Sequence, residues 1–198
     1  GQDGTSWADA YRNVQDALDE ANSDRLNHYE IWVAEGVYYP DEGRGQTDGD
    51  RTASFRVVSN GTKLYGGFVG NETTREARDP AVNVTVLSGD IGQDDIDIDG
   101  DAIAETWHLI QGENAYHVVW LDGVDLDAID TTTVVDGFVI TAGHADSSTS
   151  PDDKGAGLYC DGSGSSAACN PLLRNLVLTG NRAIGAGGGM LAYGVDGV

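Results

Sequence analysis

Val134–Ala145 reads VVDGFVITAGHA, and Leu172–Ala183 reads LLRNLVLTGNRA. Laid over one another at an offset of 38, their apolar positions coincide: Val134 with Leu172, Val135 with Leu173, Phe138 with Leu176, Val139 with Val177, Ile140 with Leu178. Thr141 and Thr179 are identical, as are Ala145 and Ala183. A second pairing sets Gly157-Leu158-Tyr159 against Gly189-Met190-Leu191. Short apolar strands that recur with Gly or Asn at their corners are the mark of a solenoid, in which each coil buries its apolar stripe only against its neighbours. A sandwich also uses short strands; the repeat decides between the two.

Working outward, the same pattern continues in both directions. Glu30–Ala34, Val37–Tyr39, Ser54–Ser59, Thr62–Tyr65, Phe68-Val69, Val84–Leu87, Tyr116–Leu121, Leu158-Tyr159 and Met190-Leu191 are short runs rich in β-branched and aromatic residues. Asn60-Gly61, Gly66-Gly67 and the polar stretch Asp41–Arg51 break them. One segment has a different period. Trp7, Tyr11, Val14, Leu18 and Ala21 recur every three to four residues behind Ser6, an N-cap residue with Asp9 in a capping-box position. This predicts a helix over 6–21.

The chain carries 33 Asp and Glu against 11 Lys and Arg, a net charge of −22. Such a field repels nucleic acid and anionic membranes, so neither is an expected partner. Three sources of the acidity remain open: a solvating surface, bound divalent cations, or adaptation to high salt. No apolar run reaches the roughly 18 residues of a membrane span. Cys160 and Cys169 flank a Gly/Ser-rich loop with no His beside them, which reads as a disulfide better than as a metal site, with free thiols as the alternative.

The opening stretch Gly1–Leu18, with Ile31–Pro40 (IWVAEGVYYP), Lys63–Thr73 (KLYGGFVGNET), Thr85–Ile91 (TVLSGDI) and Val134–Gly143, resembles the right-handed parallel β-helix repeat proteins of bacterial and archaeal cell surfaces, which share the fold of the pectate lyases. The resemblance covers nearly the whole chain in order. It implies an all-β, right-handed parallel β-helix over 1–198 with one N-terminal capping helix, its repeats clearest in 134–191. It also implies a secreted or surface-anchored location. The family's first short strand is missing before Gly1, and the chain stops inside a repeat at Gly197-Val198, so both ends read as those of a fragment.

The densest constellation for chemistry is Asp90–Glu105, DIGQDDIDIDGDAIAE. Asp95, Asp97, Asp99, Gly100 and Asp101 form D-x-D-x-D-G-D, the first half of an EF-hand-like calcium loop. The twelfth position is Thr106 rather than Glu, and no flanking helices are evident. The expected site is therefore a calcium-bound loop with Asp90, Asp95, Asp97, Asp99, Asp101 and Glu105 as ligands, against the plainer reading of a solvated acidic loop. Tyr38-Tyr39 is the expected exposed carbohydrate contact, while Trp32 and Trp120 default to core packing. Asn60, Asn71 and Asn83 head N-x-[ST] sequons and are glycosylation candidates. Asp122 and Asp136 read as turn caps. The four His (His28, His108, His117, His144) show no metal-ligand spacing, and His117 reads as a hydrogen-bonded strand residue.

The function that follows is a secreted or surface scaffold or adhesin, calcium-stabilised, whose partners are carbohydrate or other surface proteins, with a homo-oligomer or filament as an open possibility. The alternative is a polysaccharide lyase or glycoside hydrolase whose groove lies partly outside this segment. The bases such a lyase needs look sparse: Arg174 and Arg182 lie on the repeat and Lys154 in a loop, with no cluster apparent.

Overall fold

In the computed structural model, residues 2–124, 128–163 and 168–194 are described. The termini Gly1 and Gly197-Val198, read above as ends of a fragment, lie outside the described residues. Strands follow one another in short pieces: β1 (Glu30–Ala34), β2 (Gly36–Tyr38), β3 (Phe55–Val57), β4 (Lys63–Phe68), β5 (Thr85–Ser88), β6 (Val119–Asp122), β7 (Val134–Asp136), β8 (Val139–Thr141), β9 (His144–Ala145), β10 (Leu158–Asp161), β11 (Leu172–Arg174), β12 (Val177–Leu178), β13 (Arg182–Ala183) and β14 (Met190–Tyr193). They form a first sheet in the order β1-β4-β7-β11, a second β2-β5-β8-β12, a third β3-β6-β10-β14 and a two-stranded fourth, β9-β13. Every strand pairing is parallel.

This grouping corrects the right-handed parallel β-helix expected from the repeat. The strands fall into four separate short sheets beside one helix, not into one continuous solenoid. The reason is visible in the register. In the first sheet Glu30 pairs with Lys63, Lys63 with Val134 and Val134 with Leu172, so partners stand 33, 71 and 38 residues apart. Long loops such as 41–54 and 89–118 make the spacing uneven, and no single period runs through the chain. The 38-residue offset holds only over the last stretch, where Val134 meets Leu172, Val139 meets Val177 and His144 meets Arg182.

The helix predicted over 6–21 is broken in two. Trp7–Asp9 is a 3-10 turn, and α1 runs Val14–Ser23 behind Asn13. Ser6 does accept from the Asp9 amide, but it caps only the short turn. The cause is tertiary. The Trp7 indole packs on Trp32 and Phe68, at 6.3 and 5.6 Å between ring centroids, and donates to the Glu72 carbonyl at 3.0 Å. A continuous helix would point that ring elsewhere.

Helix α1 buries Val14, Leu18 and Ala21 and packs against β3. Strand β3 ends the third sheet, so one row of its backbone groups has no strand to bond. Asn22 supplies the missing partner. Its Nδ2 donates to the Arg56 carbonyl at 2.8 Å, and its Oδ1 accepts from the Val58 amide at 3.1 Å. One side-chain amide thus stands in for a neighbouring strand. The Gln15 amide likewise donates to the Pro40 and Ser54 carbonyls.

Beside a smaller cluster of Tyr65, Phe68 and Val134, a main core cluster joins the first three sheets, from Val14 and Leu18 through Phe55, Leu64, Leu87, Leu121, Phe138 and Ile140 to Leu158. Cys160 and Cys169 belong to it and are joined as a disulfide. Such bonds form and persist in oxidising compartments. No helix among the described residues is long and apolar enough to cross a membrane. The disulfide closes a loop with a sequence separation of 9, for which chain entropy gives a stabilisation of about 2–3 kcal/mol. Reduction, or the Cys160→Ala/Cys169→Ala double variant, is expected to lower the unfolding free energy from urea titration by that amount; an unchanged midpoint would show the bond to be energetically idle.

Candidate cation-binding loop

The acidic stretch lies in the loop between β5 and β6, tethered at both ends. Ile91 and Ala104 are buried beneath it, and Asn114 and Ala115 are fully buried at its exit. The Ala115 amide donates to the Gly89 carbonyl at 2.8 Å, closing the loop at its base. The Arg51 Nε donates to the Asn114 carbonyl at 2.7 Å from the neighbouring 41–54 loop.

The carboxylates gather in two groups. Asp90, Asp94 and Asp95 each bring an oxygen within 4.8 Å of the others, and Asp97, Asp99 and Asp101 do the same. In the first group the Asp90 carboxylate accepts from the amides of Asp94 and Asp95, at 3.1 and 3.2 Å, and so turns the chain back on itself. Asp95 accepts from the Gln111 amide and from Asn114 Nδ2, the latter at 2.9 Å. In the second group Asp97 accepts from the amides of Gly100 and Ala102, at 2.7 and 3.1 Å. Gly100 has φ +88°, the left-handed turn that glycine enters freely.

The D-x-D-x-D reading is therefore redrawn. Asp95 and Asp97 do not converge, because Gln111 and Asn114 hold Asp95 inward against the loop base while Asp97 faces solvent. Asp94 joins the first group; its place beside Asp95 and four residues after Asp90 was the signal in the sequence. Glu105 joins neither group. It is exposed, and its carbonyl accepts from Thr179 Oγ1 at 3.0 Å.

The two groups differ electrostatically. Burial raises the Asp95 carboxyl from 3.8 to about 6, and the nearby Asp90 and Asp94 charges add to the rise. Asp90 is also raised, chiefly by burial. Asp97 is lowered, first by the amides of Gly100 and Ala102. The first group is thus a partly buried set of oxygens that resists carrying its full negative charge alone. A divalent cation would supply the missing charge; carboxylate oxygens are the ligands calcium prefers.

The other expected site residues are dispersed. Tyr38 packs against the core, and its hydroxyl donates to the Ala34 carbonyl at 3.2 Å. Tyr39 is half-buried beside the acidic loop; its phenol is raised by burial and then by the charges of Asp90, Glu42, Asp95 and Asp97. They do not form an exposed pair. Trp120 lies on the third sheet away from the core, between His117 and Tyr159 at 5.2 and 5.5 Å, with the Arg56 guanidinium 5.1 Å from its ring. Core packing is therefore the wrong default for Trp120. Of the sequon residues, Asn71 is exposed. Asn60 accepts from the Asp130 amide and Thr133 Oγ1, and Asn83 donates to the Gly67 carbonyl. His117 is buried, 3.1 Å from the Gly155 carbonyl through Nδ1.

Compared with protein-family models, with curated proteins and with solved structures, the chain gives no match. Asp122 and Asp161 are register partners on β6 and β10, but each caps a turn: they accept from the amides of Val124 and Ser163, at 3.0 and 2.9 Å. Asp136, read as a turn cap, instead pairs with Arg78 at 2.7 Å.

Proposed function

We propose that this chain is a scaffold or adhesive module of a secreted or cell-surface protein, in which calcium sets the 90–101 loop. The observation that carries the reading is the pair of aspartate triads in one tethered loop, each with its oxygens within 4.8 Å. The disulfide and the −22 charge fit an extracellular setting, and carbohydrate or other surface proteins are the partners such a module would meet.

The test is a thermal melt at fixed ionic strength with calcium and with chelator. A ligand at a hundred times its dissociation constant stabilises by about 2.7 kcal/mol, or roughly 5–10 °C for a chain of this size. The rise should shrink in Asp95→Asn and in Asp97→Asn/Asp99→Asn, and magnesium should not reproduce it. No shift with calcium would sink the calcium-set loop.

The same melt has a pH dependence. Without metal, Asp95 binds its proton more tightly folded than unfolded, so its contribution to stability is complete below pH 3.8 and is lost as pH rises to about 6. Calcium and the proton compete for this carboxylate. The calcium-induced rise in melting temperature is therefore expected to grow from pH 5 to pH 7.

A further inference from the structure

On the outer face of the first sheet four basic residues, Lys63, Arg75, Arg78 and Arg174, stand against three acids, Glu30, Glu76 and Asp136, a local balance opposite in sign to the whole molecule. By register, Trp32, Tyr65, Asp136 and Arg174 stand side by side across its four strands, with Lys63 and Val134 in the next row. Arg75 and Arg78 fold over this face from the loop after β4, their guanidinium carbons 5.0 and 5.1 Å from the Tyr65 ring. Four of the chain's eleven basic residues thus meet on one face of a molecule with net charge −22. Sequence reading, which left Arg174 isolated on its repeat, missed this cluster because its members lie about a hundred positions apart.

A cavity of about 480 Å³ opens between the three arginines, lined also by Glu76 and Asp136. This is within the range of small-molecule pockets. Its three arginines are not equivalent. Arg78 is committed, paired with the buried Asp136 and donating to the Gly66 carbonyl at 2.9 Å. Arg75 is half committed, at 2.8 Å from Glu76 and 3.6 Å from Glu30 on an exposed rim. The Arg174 side chain lines the cavity, is exposed, and has no ion-pair or hydrogen-bond partner among the described residues. Beside it Leu172, Val134 and Pro80 provide an apolar wall.

We propose that this pocket binds a small organic monocarboxylate, with Arg174 and Arg75 taking its oxygens and Leu172, Val134 and Pro80 its apolar body. The fork of a guanidinium matches the two oxygens of a carboxylate. The field of the remaining molecule selects for size and charge: a polyanion is repelled by the acidic surroundings, whereas a single negative charge reaches the local cluster at little cost. An apolar wall beside an unpaired cation has no use for a bare inorganic ion.

Benzoate is a suitable probe, titrated by calorimetry at fixed ionic strength, with neutral benzamide and inorganic sulfate as comparators. Saturable benzoate binding is expected, with benzamide and sulfate each weaker by about tenfold or more. Arg174→Ala should weaken benzoate by about tenfold, and Arg174→Lys by less, since the charge remains and the fork is lost. Both variants should melt with the parent chain, because the side chain is exposed. Failure of benzoate to saturate, equal binding of benzamide, or indifference to Arg174→Ala would overturn the assignment. Tighter binding of sulfate than of benzoate would overturn the carboxylate class.

Discussion

Phe138→Ala is expected to destabilise the fold by about 3–5 kcal/mol, the cost of deleting a fully buried aromatic ring and leaving its cavity. Phe138 is 1% exposed and sits in the main core cluster, between β7 and β8, where the chain passes from the first sheet to the second. Its surroundings cannot collapse into the space. Gly66 on β4 lies against the ring so closely that a Cβ there would stand 3.1 Å from Phe138 Cδ1 and 2.4 Å from the Gly137 carbonyl. The Phe138 carbonyl is itself tied to the Val177 amide at 3.0 Å. Backbone fixed on several sides holds the cavity open. Urea unfolding should show a lower midpoint with an unchanged slope, and the melting temperature should fall by roughly 6–20 °C. Phe138→Leu keeps most of the volume and should cost less than half as much. A loss under about 1 kcal/mol for the alanine variant would mean that the cluster repacks and that the corner is not rigid.

How far such a corner is legible in the sequence depends on the range of the forces that make it. Val134-Val135 and Leu172-Leu173 announce themselves as strands, because β-branched and apolar residues between Gly and Asn fit a pleated surface. Their pairing is legible too, since 38 residues separate them at every matched position. The partner of β4 is not. Lys63 and Val134 are separated by 71 residues, filled mostly by loops whose reach no pattern of apolar residues measures. The expectation of one continuous solenoid extended a local period into regions that do not share it. The helix over 6–21 failed in a similar way: periodicity placed Trp7 on a helical face, whereas Trp32 and Phe68 offered its ring a better contact. In the acidic loop, residue type was legible and direction was not. Nothing in D-x-D-x-D tells that Gln111 and Asn114 will take Asp95 away from Asp97. The arginines above the first sheet are the extreme case, invisible until Arg75, Arg78 and Arg174 are brought to one face.

Asp136→Ala is expected to cost about 3–5 kcal/mol, although the pair it breaks need not add that much to stability. Asp136 and Arg78 approach to 2.7 Å with side chains only 7% and 12% exposed. Asn175 Nδ2 donates to the other Asp136 oxygen at 2.7 Å. Arg78 Nη1 donates to the Gly66 and Asp136 carbonyls at 2.9 and 3.3 Å. The pair is thus hydrogen-bonded beyond its own contact on both sides, and glycine at residue 137 makes room for it: at φ +90°, a Cβ there would stand 2.6 Å from Arg78 Nη1. Removing the carboxylate strands a buried cation and one Asn donor; removing the guanidinium by Arg78→Ala strands a buried anion. Each single variant therefore suffers a desolvation penalty that the intact pair offsets. Removing both charges together, as in Asp136→Leu/Arg78→Met, leaves neither ion unpaired and is expected to cost less than either single change. Urea unfolding of the two alanine variants and of this double variant measures the difference. Because the pair is buried, 1 M salt should leave the single-variant losses nearly unchanged, whereas a solvent-exposed pair would lose most of its coupling at that ionic strength. Losses that simply add in the double variant would show that the two side chains act independently, and the close approach over Tyr65 would then be a consequence of the fold rather than one of its supports.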